Sequence, residues 1–168
     1  MNIPLRAHSL DATHRLAELG LTSELLLDAA AYGESERRTC TLNDPGWLPG
    51  MLQWGRTLRR LRELLAPFGW EKCKIDGLEV VLSRDGRVAI TVCMGDEATG
   101  NADAVPFSKY PKGKAIAKTV VVNNQQRLLG FEAKPANAAG LTRTTWVLLM
   151  HTCAAETRCE LSIPKSIA

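Results

Sequence analysis

The stretch from Leu78 to Gly100, LEVVLSRDGRVAITVCMGDEATG, constrains the fold more than any other part of the chain. Two alternating apolar runs, Leu78–Leu82 and Val88–Val92, flank Ser83-Arg84-Asp85-Gly86. β-Branched residues suit a pleated, half-buried surface, and an Asp-Gly dipeptide between two such runs signals a hairpin. The second run empties into Gly95-Asp96-Glu97-Ala98-Thr99-Gly100, a polar, glycine-bounded loop at a strand end, where binding residues often sit.

The rest of the chain is read around this hairpin. Ser9 can cap a helix from Leu10 to Leu19 that Gly20 ends, and Thr22 or Ser23 a second from Glu24 to Tyr32 that Gly33 closes. The pair evokes a helix-turn-helix, but the second helix is acidic and lacks base-reading side chains, so a plain helical hairpin is the better reading. After the turn-rich Asn43–Gly50 connector, Met51, Trp54, Leu58, Leu61, Leu65 and Phe68 recur in steps of three and four, which predicts a helix from Met51 to Ala66 with one apolar face. Trp70–Ile75 reads as a first strand, turned by Asp76-Gly77. Glu97–Gly113 reads as loop, Lys114–Leu129 as an inserted helix and Gly130–Gly140 as a connector; Thr144–Thr152 and Arg158–Ile163 form a second hairpin. The expectation is one α+β domain over residues 1–168, with residues 1–45 as a helical segment packed on it. N-terminal helices precede a mostly antiparallel sheet of four or five strands, made of two hairpins with one inserted helix.

Composition narrows the class. With 45% hydrophobic and 23% charged residues, 168 residues suffice for a real core. No apolar run approaches the roughly 20 residues of a membrane helix. The start, MNIPLRAHSLDATHRL, interrupts any signal-peptide core with polar residues, so the expected location is the cytoplasm, with no membrane partner. Five scattered cysteines without a Cys-x-x-Cys pair argue against a disulfide framework. Charge is segregated: residues 7–36 carry six acids against Arg15, whereas residues 104–131 carry Lys109, Lys112, Lys114, Lys118 and Arg127 and no acid.

Three groups of residues carry candidate chemistry. Lys109-Tyr110-Pro111-Lys112-Gly113-Lys114, followed by Lys118, combines phosphate-binding charge with an aromatic that can stack on a base, and Arg56, Arg59 and Arg60 would add to the same field if the fold brings them near. Asp96 and Glu97, with Asp103 downstream, could hold a divalent ion, and a lysine from the loop could assist phosphodiester cleavage; Thr99 belongs to the same loop. The acid-x-lysine companion that such nucleases use is incomplete: Glu71-Lys72-Cys73 lacks the lysine at its third position, and Glu132-Ala133-Lys134 runs into Pro135. His151 and Cys153 alternate onto one strand face, and a hairpin would bring Cys159 near both, with Cys93 the remaining donor for zinc or a thiol nucleophile; the apolar neighbours favour inert core thiols. Gly-x-x-x-x-Gly-Lys, Gly-x-Ser-x-Gly and His-Glu-x-x-His do not occur, so no cofactor is assigned and no residue is given a catalytic role.

Three strings carry a resemblance: Thr41-Leu42-Asn43-Asp44-Pro45 leading to Trp54, Gly95–Gly100, and Lys109-Tyr110-Pro111-Lys112-Gly113. Over roughly residues 20 to 165 the chain resembles a family of uncharacterised bacterial proteins, some associated with mobile elements. The resemblance implies a bacterial accessory protein that binds rather than catalyses. The resulting expectation is a non-enzymatic factor contacting nucleic acid, or an acidic, nucleic-acid-handling protein, through its basic loop. Its rivals are a metal-dependent nuclease using Asp96 and Glu97, and a protein-interaction module meeting its partner through the Trp47/Met51 region or the amphipathic helix, such as an inhibitor of a host defence system.

Overall fold

A computed structural model of the protein describes residues 10–101, 103–108, 120, 123, 143–154 and 156–164. Among these, three helices come first: α1 (Leu10–Glu18), α2 (Ser23–Arg37) and α3 (Leu48–Leu65), the last running into a 3-10 turn at Ala66–Phe68. Five strands follow, β1 (Glu71–Ile75), β2 (Leu78–Leu82), β3 (Val88–Met94), β4 (Thr144–Thr152) and β5 (Thr157–Ser162). They form one sheet in sequential order, so the architecture is the α+β arrangement that the sequence predicts.

Turn chemistry sets the local pairings. Asp76 and Gly77 both take positive φ (51° and 87°), as a two-residue hairpin turn of the right twist requires, and Ile75 pairs with Leu78 across it. In the β2–β3 turn the Ser83 N–H donates to Val88 O at 2.8 Å, and the Asp85 carboxylate accepts from the Ser83 hydroxyl and the Arg87 N–H. The β4–β5 hairpin also forms as expected. The two halves join through a parallel pair, β3 with β4, in register from Val88↔Thr144 to Met94↔Met150. Parallel neighbours need a long crossover, and residues 95–143, including the polar loop and the lysine run, are that connection.

The helix ends differ from the sequence expectation. Gly33 does not close α2, which continues to Arg37. A Cβ there would lie 1.9 Å from Thr57 Oγ1 and 2.6 Å from the Gln53 carbonyl, so this glycine lets α3 approach closely. Helix α3 starts at Leu48 with Pro49 in its first turn, where a missing N–H leaves no bond unmade. Of its expected apolar stripe, Leu58, Leu61 and Leu65 are buried and Trp54 half-buried, while Met51 and Phe68 are exposed and Gln53 and Thr57 are buried instead. The stripe deviates because α3 packs on α2 as well as on the sheet.

Val81, Ile90, Val92, Trp146, Leu148 and Met150 face the helices and form the core with Leu26, Leu58, Leu61 and Leu65. Burying each such side chain contributes about 1.5–3 kcal/mol. By alternation Val80, Ala89, Thr91, Val147 and Leu149 point to the opposite face, and they are buried too.

Polar side chains complete the backbone where ladders stop. The β2–β3 ladder consists of Val81↔Ile90 and Leu82↔Ala89 only. Nearby carbonyls are taken by side chains: Thr91 Oγ1 donates to Glu79 O (2.9 Å), Arg62 Nη2 to Val80 O (2.8 Å) and Trp54 Nε1 to Val92 O (3.0 Å). At the other end, the β4–β5 register would set Pro164, which has no N–H, opposite Thr145. The Asn123 carboxamide serves instead, donating to Thr145 O at 2.9 Å and accepting from Thr145 N–H at 3.2 Å. Asn123 and Val120 are helical and buried; the remainder of the helix expected over Lys114–Leu129 and the Gly130–Gly140 connector lie outside the described residues.

Arg62→Met keeps the aliphatic stem but leaves the Val80 carbonyl without its donors. It is expected to cost about 2 kcal/mol in urea denaturation, whereas Arg59→Met, which loses only an exposed pair with Glu63, leaves the midpoint within error.

Candidate functional site

The parallel pair β3–β4 directs two chain segments outward from the carboxyl ends of its strands, the place where α/β sheets commonly bind ligands. From β3 emerges the Gly95–Gly100 loop. Gly95 N–H donates to Met150 O at 2.7 Å, and Gly95 bridges Ser108 as an isolated pair, while Asp96 N–H donates to Phe107 O at 2.9 Å. The loop therefore leaves the sheet and returns to it at Ser108, the residue before the lysine run.

Within the loop each predicted residue has a structural task. Asp96 Oδ1 accepts from Ala98 N–H at 3.2 Å, and Thr99 N–H donates to Asp96 O at 3.1 Å, a tight turn. Thr99 is fully buried against Gly95, where a Cβ would come within 2.0 Å of its hydroxyl. Glu97 is exposed, and its carbonyl accepts from Arg158 Nη2 at 3.0 Å. Gly100 N–H donates to Glu160 Oε2 at 3.1 Å, and the Ser162 hydroxyl donates to the same carboxylate. His151 Nδ1 lies 3.4 Å from Gly95 O. β5 thus holds the loop from one side and β4 from beneath. Glu160 and Arg158 were not singled out from the sequence, because only the hairpin pairing brings them to residues some sixty positions earlier.

The basic residues divide. Arg56, Arg59 and Arg60 stand on α3 in the helix layer, and each meets a carboxylate: Arg56 with Glu36 at 3.1 Å, Arg59 with Glu63 at 2.7 Å, Arg60 with Asp28 at 2.9 Å. Arg60 also lies over the Tyr32 ring. These charges are compensated, and they do not share a sheet face with the loop, whose anchors Arg158 and Glu160 alternate to the other side. Lys109, Tyr110, Lys112, Lys114 and Lys118 lie outside the described residues.

The histidine–cysteine constellation does not assemble. Cys159 pairs with Met150 and packs in the helix-facing core, where burial first, and the neighbouring Glu160 charge second, push its thiol up to about 11. His151 points to the opposite face, and Cys153 has left the strand for the exposed turn, its N–H donating to Glu156 O. The one-residue alternation of β4 and β5 separates what a list of positions suggests is adjacent. No group of three His, Cys, Asp or Glu gathers among the described residues.

On the helix side of the same sheet end sits a buried polar cluster. Glu34, 2% exposed, accepts from Arg37 Nε (2.6 Å) and Nη2 (2.8 Å), Arg38 Nε (2.7 Å) and Gln53 Nε2 (3.3 Å). Gln53 Nε2 also donates to Thr152 Oγ1 at 2.7 Å, which is 3.0 Å from Thr157 Oγ1. Burial pushes the Glu34 carboxyl up, but the hydrogen bonds of Arg37 and then Arg38 outweigh it and hold the group below the usual carboxylate range. A carboxylate so stabilised is a poor general base for the threonine hydroxyl beside it, and the cluster acts as a staple between α2, α3 and the β4–β5 turn.

No protein-family model matches the chain, and neither a curated protein nor a solved structure does.

Two outcomes follow from these environments. Iodoacetamide at mildly alkaline pH should label Cys153 well before Cys159, which reacts only on unfolding, as read by peptide mass spectrometry. Glu34→Gln should cost about 2 kcal/mol at neutral pH. Because the Glu34 value is depressed on folding, its contribution is complete above the ordinary value of 4.5 and lost as pH falls through the lower folded one, so the variant and parent midpoints converge in acid.

Proposed function

We propose that the protein is a non-enzymatic binding protein that contacts nucleic acid through the segment running from Asp96 to Lys118. The observation that carries this reading is the closure of the loop at Ser108. The chain is tied back to Gly95 by a bridge and to Asp96 by a backbone hydrogen bond, immediately before Lys109, Tyr110, Lys112, Lys114 and Lys118. Phe107, exposed at that root, adds a second ring for stacking beside Tyr110. An acid-free run of this kind favours phosphate, and the compensated arginines of α3 leave the lysines as the main source of attraction.

A second reading, a protein partner such as a component of a host defence system, has its own support. Leu42 is fully exposed, and Trp47 (63%) and Met51 (55%), one helical turn apart, stand at the start of α3. Large exposed apolar side chains grouped in this way mark interaction surfaces.

Electrophoretic mobility shift on single- and double-stranded DNA and RNA, across a salt series and with and without Mg²⁺, separates these readings. Binding to single strands is expected to weaken with salt, and Lys109/Lys112/Lys114→Ala to flatten the log–log slope by about 2. Phe107→Ala should weaken binding about tenfold. Unchanged affinity in the triple lysine variant overturns the proposal. Mg²⁺-dependent shortening of the strands, lost in Asp96→Ala, would instead establish the nuclease. A complex that survives nuclease treatment and is lost in Trp47→Ser/Met51→Ser would establish the protein partner.

A further inference from the structure

At the opposite end of β3 from the loop, the α1–α2 turn, the end of the 3-10 turn and the β2–β3 turn border an open concavity of ≈ 490 Å³, within the usual size of small-molecule sites. Its floor is apolar: Trp70 is buried, and Leu19 and Val88 pack on the core. Its rim carries Phe68, a ring left 63% exposed. Gly69 has positive φ (81°), and a Cβ there would come within 3.1 Å of the Arg84 side chain, so the glycine brings the Arg84 stem against the turn that holds Phe68.

The charges around this hollow are unequal in availability. Glu18 is engaged by Arg15 at 2.6 Å and by His14 at 3.4 Å. Asp85 is engaged by the Ser83 hydroxyl at 2.6 Å and the Arg87 N–H at 3.0 Å. Glu18 is offset by Arg15 and Asp85 by Arg87 Nε, 4.0 Å away, while the Arg84 guanidinium meets no carboxylate among the described residues, so Arg84 is the surplus charge at the hollow. A guanidinium beside an exposed ring and an apolar floor is complementary to a planar ring bearing an acidic group: the ring lies against Phe68 and Trp70, and the acid accepts the paired N–H groups of the arginine.

From this juxtaposition we infer that the concavity is a binding site for a small aromatic anion, separate from the nucleic-acid segment and independent of it. The test uses naphthoate as the probe, with naphthalenemethanol as its neutral and naphthylmethylammonium as its cationic counterpart, followed by calorimetry and amide chemical shifts of the full chain. Naphthoate is expected to bind saturably, more tightly than either counterpart, and to shift the amides of Gly20, Gly69 and Gly86. Arg84→Gln, a change at an exposed side chain, should weaken naphthoate about tenfold and bring it level with the neutral analogue. Phe68→Ser should weaken both, and Trp47→Ser neither. No saturable binding into the millimolar range, preference for the cation, indifference to Arg84→Gln, or loss in Trp47→Ser each overturns the inference.

Discussion

The parallel pairing of β3 with β4 is the constraint on which the remaining structure depends. Seven register pairs run from Val88↔Thr144 to Met94↔Met150, and they fasten together two antiparallel units that are otherwise local. A parallel junction cannot be closed by a tight turn, so the chain must travel over residues 95–143 between the two strands. Both faces of the central strands are then buried, Ile90, Val92 and Leu148 toward the helices and Ala89, Val147 and Leu149 away from them. The same junction sends the Gly95 loop and the β4–β5 turn out of one sheet end.

The apolar layers are held in register by polar groups with definite partners. Where the β2–β3 ladder ends after two pairs, Trp54 and Arg62 reach from α3 to strand carbonyls, so helix docking and sheet completion are one event. Asn123 performs the equivalent service for Thr145, accepting from its N–H and supplying the donor that Pro164 lacks. Glu34 ties α2 to α3 and to the last turn of the sheet. These bonds carry net values of only about 1 kcal/mol each, but leaving one partner buried alone costs more, which makes them specific as well as stabilising.

This economy of polar groups bears on function. The arginine-rich side of α3 looks like a basic surface in one dimension, yet Asp28, Glu36 and Glu63 face Arg60, Arg56 and Arg59 across or along the helices. Asp28 and Glu36 of α2 thereby offset two of the α3 arginines, and Glu63 of α3 itself a third. The proposed positive field then rests on the acid-free stretch 104–131 of the crossover, and Arg84, which meets no carboxylate among the described residues, is a second, smaller positive point at the other end of β3.

Local chemistry made much of the fold legible. The Asp76-Gly77 and Ser83–Gly86 turns, the apolar alternation of β2, β3 and β4, and the leucines of α3 each depend on neighbours within a few residues, and each stands where the sequence predicts it. The loop residues Asp96, Glu97 and Thr99 were recognisable as one unit for the same reason, whereas their holders Arg158 and Glu160 were not. Gly33 reads identically as a helix stop or as a contact glycine until α3 is in place, and Met51 reads as core until α2 takes up the adjoining face with Gln53 and Thr57. The side of the sheet on which Cys159 and His151 fall follows from pairing register, since a period of two leaves the absolute face open. What the sequence determined by itself, then, is the set of elements and their turns, because these are short-range conformational preferences. The parallel junction, the pairing of the arginines and the assembly of the loop site were decided only by tertiary structure, because each joins residues whose proximity no local pattern encodes.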